Sequence, residues 1–271
     1  MSEQAQLFRP VVVIPVYNHP QTVQSVVNAI RKLQLPVIIV DDASDTQTHQ
    51  ACELCSCENV SVIHRKTNGG KGAALMTGIQ HALSSSYTHI VTVDADGQMD
   101  PDSIPRLLRL AQRNPATVIC GYSTDRVAYR GMRRVIRRCS TALANLNALS
   151  LSITDVHCGF RVYPLAPLAQ LLARIKPGRH MQYDAEILIR LIWLGVRFRN
   201  VPIELQMPHD NISHYAHFSD TAALMWMHSR LFVTMLTRLP LIMFARWTGW
   251  YNIPHPPAQK PTAAMRQNGM R

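Results

Sequence analysis

The sequence predicts an α/β fold: a mostly parallel, Rossmann-like sheet flanked by helices, with an apolar, basic helix at the C-terminal end. Three observations carry this. Short β-branched apolar runs alternate with stretches whose apolar residues recur at helical spacing. The runs are apolar throughout, as strands covered on both faces are. Polar or glycine-rich residues follow each early run, and in a parallel sheet such strand tips share one edge, where ligands bind.

Taken in order, "VVVIPV" (11–16) reads as the first strand. Val23, Val26, Val27, Ile30 and Leu33 then form one apolar stripe on a helix that Pro36 stops. "VIIVDD" (37–42) is the second strand, a polar helical stretch follows, and "VSVIH" (60–64) is the third strand. A glycine-rich turn leads into the helix "KGAALMTGIQHAL" (71–83), and "HIVTVDAD" (89–96) is the next strand. "DSIPRLLRLAQR" is helical, with Asp100 as its N-cap and Pro101 at its entrance. "ATVICGY" (116–122) completes the alternating half. Beyond it, residues 126–150 read as one long helix, "QYDAEILIRLIWLG" (182–195) as a helix ending at Gly195, and "VRFRNVPIEL" (196–205) as a strand that Pro202 assigns to an edge. Residues 220–250 form a strongly apolar helical stretch interrupted by Arg230, Arg238 and Arg246. The chain thus divides into a main domain over 8–218, a helical segment over 219–250, and a Pro-rich polar tail over 251–271 expected to be disordered. No internal repeat or clean linker is visible.

With 271 residues, 47% of them apolar, the chain buries a sizeable core. Its net charge of +11 favours anionic partners: nucleotide phosphates, nucleic acid or an anionic membrane surface. Of six cysteines, three crowd into "CELCSC" (Cys52, Cys55, Cys57). No second ligand pair stands at zinc-site spacing, so they read as ordinary thiols. The polar opening residues lack a secretory pattern, which predicts a reduced, cytoplasmic setting.

Three strand tips carry the candidate chemistry: "PVYNH" (15–19), "DDASD" (41–45) and "DADGQ" (94–98). Asp94 and Asp96, two apart, face the same side of their tip. Two hard oxygen ligands suit Mg²⁺ or Mn²⁺, with diphosphate oxygens completing the shell, and such a cation stabilises a leaving diphosphate. An isolated D-x-D is also a common acidic turn. "NGGKGAA" (68–74) offers backbone N–H groups and Lys71 to a phosphate, although its spacing is neither a Walker loop nor G-x-G-x-x-G.

The ordered set "VVVIPVYN", "VDDAS", "NGGKGAA", "VDADGQ" and "CGFR" (158–161) resembles glycosyltransferase family 2, in particular the branch of dolichol-phosphate mannose synthases and bacterial polyprenol-phosphate glycosyltransferases. The resemblance spans about residues 10–218 and implies a GT-A fold, a nucleotide-sugar donor and a divalent cation. By position it implies that Pro15, Tyr17 and Asn18 line the donor nucleotide pocket, that Asp42 holds the base or ribose with Asp41 assisting, and that Lys71 lies beside the donor. It also implies that Asp94 faces the sugar or ribose and that Asp96 is the principal metal ligand. "YDAEILIRLIWLG" is similar to the family's acidic helix, which makes Asp184 the general base with Glu186 beside it. A solvated helix N-terminus, where acids suit the dipole, is the plainer reading. Arg161 is a phosphate ligand by the same resemblance. His19 stands where the family often has Glu, and Gly97 where the dolichol branch commonly has Leu. "ISHYAHFSD" (212–220) resembles a bacterial segment, which implies that His214 and His217 meet the donor diphosphate or the metal; lone histidines are otherwise structural or surface residues.

Arginines 126, 130, 133, 134, 137 and 138 fall on one helical face with no Asp or Glu from 126 to 154, which suits lipid head groups or an acceptor phosphate. The C-terminal apolar runs are too short to span a bilayer, so an interfacial or a packing helix is expected. Together these residues predict a metal-dependent inverting glycosyltransferase. It moves a sugar from a UDP- or GDP-sugar to a lipid or lipid-linked acceptor at the cytoplasmic membrane face, with peripheral membrane contact and no nucleic-acid partner. The alternatives are a nucleotidyltransferase acting on a sugar phosphate and a basic nucleic-acid binder.

Overall fold

The computed structural model describes residues 8–124, 131–204 and 217–248. Its first half runs β1 (Pro10–Val16), α1 (Val23–Lys32), β2 (Val37–Asp41), α2 (Thr46–Glu53), β3 (Val60–His64), α3 (Lys71–Ser84) and β4 (His89–Thr92). A 3₁₀ turn (Pro101–Ser103), α4 (Ile104–Arg113) and β5 (Thr117–Ser123) follow. The second half is α5 (Gly131–Ala148), β6 (Arg161–Pro164), α6 (Leu165–Leu172), α7 (Gln182–Trp193), β7 (Arg197–Ile203), α8 (His217–Thr237) and α9 (Leu239–Thr248).

The strands form one seven-stranded sheet in the order β3-β2-β1-β4-β6-β5-β7. β6 is antiparallel to both β4 and β5, and the other pairings are parallel. The unbroken apolar run of β1 has a direct cause. Val11 and Val13 enter the core under α3, α5, α6 and α7, while Val12, Ile14 and Val16 enter a second core under α1, α2 and α4. With both faces dry, alternation has nothing to select.

Three differences from the sequence reading have physical reasons. The ladder of β4 ends at Thr92, so Asp94 and Asp96 lie in the turn beyond the strand, where Gly97 takes a φ of 73°. The strand β6 and helix α6 were not foreseen. "RVYP" is four residues long and holds an arginine and a proline, which is no strand pattern until Arg161 is seen to be buried. The C-terminal apolar stretch is two helices, because Pro240 cannot donate to a continuing helix and so falls in the first turn of α9. Asp100 caps as expected, its carboxylate accepting the Asp102 N–H at 3.1 Å, and the helix it opens begins as a 3₁₀ turn. Pro202 lies on edge strand β7. The 251–271 tail lies outside the described residues.

Candidate functional site

The tips of β1, β2 and β4 and the N-terminus of α3 meet at one edge of the sheet. At the β1 tip, Pro15 is half-buried and Tyr17 is 36% exposed. Asn18 adopts a φ of 55°, a conformation Asn tolerates, and its side chain accepts the Asp45 N–H at 2.9 Å. Its own N–H donates to Ser44 Oγ at 3.1 Å, so the β1 tip is tied to the loop after β2. Asp42 is buried and accepts the N–H groups of Gly69 (3.1 Å) and Gly70 (2.7 Å), together with the Arg65 guanidinium. It thereby holds the glycine-rich turn down on the sheet. The side chain of Asp41 accepts the Ser44 N–H, and its Oδ2 lies 2.8 Å from Nδ1 of His64.

Gly70 takes a φ of 87° and turns the chain into α3, placing Lys71 at the helix's first position. The loop before α7 covers this end, since the Ala73 N–H donates to the Arg179 carbonyl at 2.9 Å. Lys71 then joins two acids far apart in sequence: its Nζ lies 2.7 Å from Asp94 Oδ1 and 3.0 Å from Asp184 Oδ2. Behind Asp184 stands Arg161, 0% exposed, with Nη1 3.3 Å from Asp184 Oδ1 and 3.0 Å from both the Asp184 carbonyl and the Tyr163 hydroxyl. Its Nη2 donates to the Val156 carbonyl at 2.7 Å. The result is a line of alternating charge, half-buried at Asp94 and Lys71 and buried at Asp184 and Arg161.

This line sets the protonation states. Burial alone would lift the Asp184 carboxyl, but Lys71 and Arg161 outweigh it and hold it below the usual carboxylate range. Burial likewise disfavours the charged form of Lys71, yet Asp184 and Asp94 hold its ammonium on well above the usual lysine range. Asp96 is the opposite case. Burial and the negative charge of Asp94 push it up to about 6, against the lowering effects of the Gln98 N–H at 3.0 Å, the charge of Lys71 and its own backbone N–H. Asp96 is therefore an under-compensated carboxylate beside a second one. Oxygen donors in that state fit a hard divalent cation, which Asp96 and Asp94 would hold.

Not all expected residues gather here. Glu186, expected beside Asp184 in catalysis, is fully buried on another side of α7. It accepts the Gly178 N–H (3.0 Å), Arg190 Nε (2.9 Å) and Arg230 Nη2 (2.7 Å), and so clamps α8 and the preceding loop to α7. Helix positions two apart differ by about 200°, so Asp184 and Glu186 cannot share a face. Arg161, expected to meet a phosphate, is instead enclosed behind Asp184. The sequence reading missed Gly159. A Cβ there would lie 2.7 Å from Lys71 Nζ and 2.9 Å from Asp94 Oδ2, so the Lys71–Asp94 pair packs directly on its backbone. The glycine within "CGFR" was the available signal.

Of the arginine stripe, positions 126 and 130 lie outside the described residues, as does the side chain of 133. Arg134, Arg137 and Arg138 line a groove of about 1260 Å³ with Tyr122, Leu146 and Leu149. Arg137 Nη2 pairs with both oxygens of Asp155, at 2.9 and 2.7 Å, at the start of the loop that reaches Gly159. His214, and the side chain of His217 in α8, lie outside the described residues.

A mostly parallel sheet flanked by helices, with acids and a glycine-rich helix start at one strand edge, is the GT-A arrangement. The chain belongs to glycosyl transferase family 2, whose family model matches residues 11–172, and it is a glycosyltransferase. It is 28% identical to an undecaprenyl-phosphate mannosyltransferase of Micrococcus luteus over 72% of this chain and 82% of that one. It is 25% identical to a polyprenol monophosphomannose synthase of Mycolicibacterium smegmatis over 72% of this chain and 76% of the relative. Among solved structures, mannosyl-3-phosphoglycerate synthase from Rubrobacter xylanophilus shares the fold, with a TM-score of 0.61 at 18% identity over 93% of this chain and 78% of that one.

Proposed function

We propose that this glycosyltransferase moves a sugar from a nucleotide-diphosphate sugar, UDP- or GDP-linked, to a polyprenol phosphate at the cytoplasmic face of a membrane. The observation that carries the reading is the line Asp94–Lys71–Asp184 beside the under-compensated Asp96. Mg²⁺ or Mn²⁺ held by Asp96 and Asp94 supplies charge neutralisation for the departing diphosphate. The donor nucleotide lies along Pro15, Tyr17 and Asn18, with Asp42 and Asp41 shaping the neighbouring tip. Lys71 is held charged and its position is fixed, so it offers a preorganised cation to the donor's negative oxygens.

The depressed pKa of Asp184 bears on the acceptor. An alcohol needs a base to become a nucleophile, and a carboxylate held below its usual range is a weak base. A phosphate monoester is already an anion and needs no proton removed. The names of the two relatives, one for undecaprenyl phosphate and one for a polyprenol monophosphate, support the same acceptor. On this reading Asp184 steers Lys71 and meets the acceptor by position more than by proton transfer. The groove with Arg134, Arg137 and Arg138 supplies positive charge for a lipid phosphate, and Asp155 links it to the loop carrying Gly159.

The test is a donor screen with UDP- and GDP-sugars, Mn²⁺ or Mg²⁺, and vesicles carrying undecaprenyl phosphate. Release of nucleoside diphosphate that requires both the cation and the lipid phosphate is expected. Equal turnover with the free polyprenol would remove the phosphate acceptor. Pyrophosphate release from a nucleoside triphosphate and a sugar phosphate would replace the whole reading by a nucleotidyltransferase.

A further inference from the structure

Beside the donor site, on the side of Asp41 that faces edge strand β3, stands a second cluster of ligating groups. His49 on α2 and His64 at the end of β3 both aim Nδ1 at a single oxygen of the buried Asp41, Oδ2, at 3.4 and 2.8 Å. The two rings lie 3.9 Å apart, and the three ligand atoms all fall within 4.8 Å of one another. Around a tetrahedral Zn²⁺ with bonds of about 2.0–2.1 Å, neighbouring ligand atoms stand roughly 3.3 Å apart, close to both separations.

The hydrogen bonding around the cluster narrows what it holds. Asp41 Oδ1 accepts the Ser44 N–H at 3.0 Å, which orients the carboxylate and leaves Oδ2 facing the rings. Glu53 Oε1 lies 2.5 Å from His64 Nε2. In the neutral imidazole a carboxylate there accepts the Nε2 proton and leaves the Nδ1 lone pair toward Asp41, the arrangement that carboxylates impose on metal-binding histidines. Two lone pairs at 2.8 Å need a cation between them. A proton would satisfy His64 and Asp41 alone, but the Nδ1 of His49 converges on the same oxygen, one ligand more than a proton uses.

We infer that Asp41, His49 and His64 form a second cation site, for a borderline transition metal such as Zn²⁺, with Glu53 as the outer carboxylate that fixes His64. Two imidazoles and one carboxylate select zinc-like ions over Mg²⁺, whereas the all-oxygen pair Asp94 and Asp96 selects the reverse. The sites are separate, because β1 lies between β2 and β4 and places about 10 Å of sheet between their tips. His49, with its side chain 49% exposed, leaves the remaining coordination position open to water. The site ties α2, β2 and β3 together at the sheet edge. Its effect passes along the chain to the next residue, Arg65, whose guanidinium contacts Asp42 and with it the glycine-rich turn.

The test is zinc binding by chelator-treated protein in millimolar Mg²⁺, read by competition with a chromogenic indicator and by elemental analysis. One Zn²⁺ per chain is expected, with Co²⁺ giving the visible absorption of a tetrahedral N/O site. His49→Ala and His64→Ala each weaken binding by at least about 10-fold, Glu53→Gln by about 10-fold, and Asp96→Ala leaves it unchanged. Thermal melting confirms that the His49→Ala protein is folded, since His49 is exposed. Absence of stoichiometric zinc overturns the inference. So does zinc that survives His49→Ala, or zinc that is lost with Asp96→Ala.

Discussion

Lys71, Asp94 and Asp184 are legible one by one, because each lies in a short stretch whose residue types announce chemistry. Their pairing is not legible, since Lys71 opens α3 and Asp184 sits in α7, and only the fold brings them to 3.0 Å. Asp96→Ala is expected to abolish transfer with the melting temperature preserved, and Asp184→Asn to lose transfer with weakened donor binding, since Lys71 loses one of the two acids that fix it; steady-state assays alongside nucleotide-sugar binding check both. Gly159→Ala is expected to cost about 100-fold in turnover, the scale of a 1 Å misplacement in an active site. The three atoms nearest the added Cβ are side-chain ends, so the fold tolerates it while the Lys71–Asp94 pair is pushed aside. A thermal melt within a few degrees of the parent, together with the lost turnover, checks this. Arg161 and Glu186 show where residue type misleads. Both are charged and near the acidic helix, yet burial turns one into a support for Asp184 and the other into a clamp for α8.

Among the elements, α8 is attached by polar contacts as well as apolar ones. Asn147 Nδ2 on α5 donates to His228 Nδ1 at 2.9 Å and to the His228 carbonyl at 3.1 Å. Burial pushes the His228 imidazole down to about 4. The sign follows from linkage: the unfolded chain binds this proton near pH 6.5 and the folded one does not. The stability that neutral His228 preserves is therefore complete above pH 6.5 and is lost as pH falls toward 4, by at most about 3 kcal/mol. His228→Leu is expected to flatten the melting temperature between pH 6.5 and 4, read by thermal denaturation across that range. Trp226 on α8 is 72% exposed and Trp247 on α9 is 85% exposed, and both helices carry further exposed Leu, Met and Phe side chains. No helix among the described residues is long and apolar enough to cross a membrane. The double variant Trp226→Ser, Trp247→Ser is expected to lose most binding to anionic vesicles in co-sedimentation while keeping its melting temperature. The apolar character of this stretch was legible, but its break was not, because apolar residues continue on both sides of Pro240.

At the scale of the whole molecule, the alternating half was legible because dry, two-sided strands write their burial into sequence as unbroken apolar runs. The other half was less so, since its central strand owes its place to partners on either side and not to its own pattern. That strand, β6, has a consequence for how the molecule comes into being. β5 reaches the rest of the sheet only through β6, and β7 only through β5. During synthesis β5 is completed roughly forty residues before β6 exists, a wait of several seconds at ribosomal speed. Over that interval the open flank of β4 and the whole of β5 are backbone edges without partners, the kind of surface that pairs with other chains. The same late strand begins with Arg161, which supports Asp184. The strand that joins the two halves of the sheet thus also carries the support of the charged line, and a nascent Asp184 has no such support until β6 is in place.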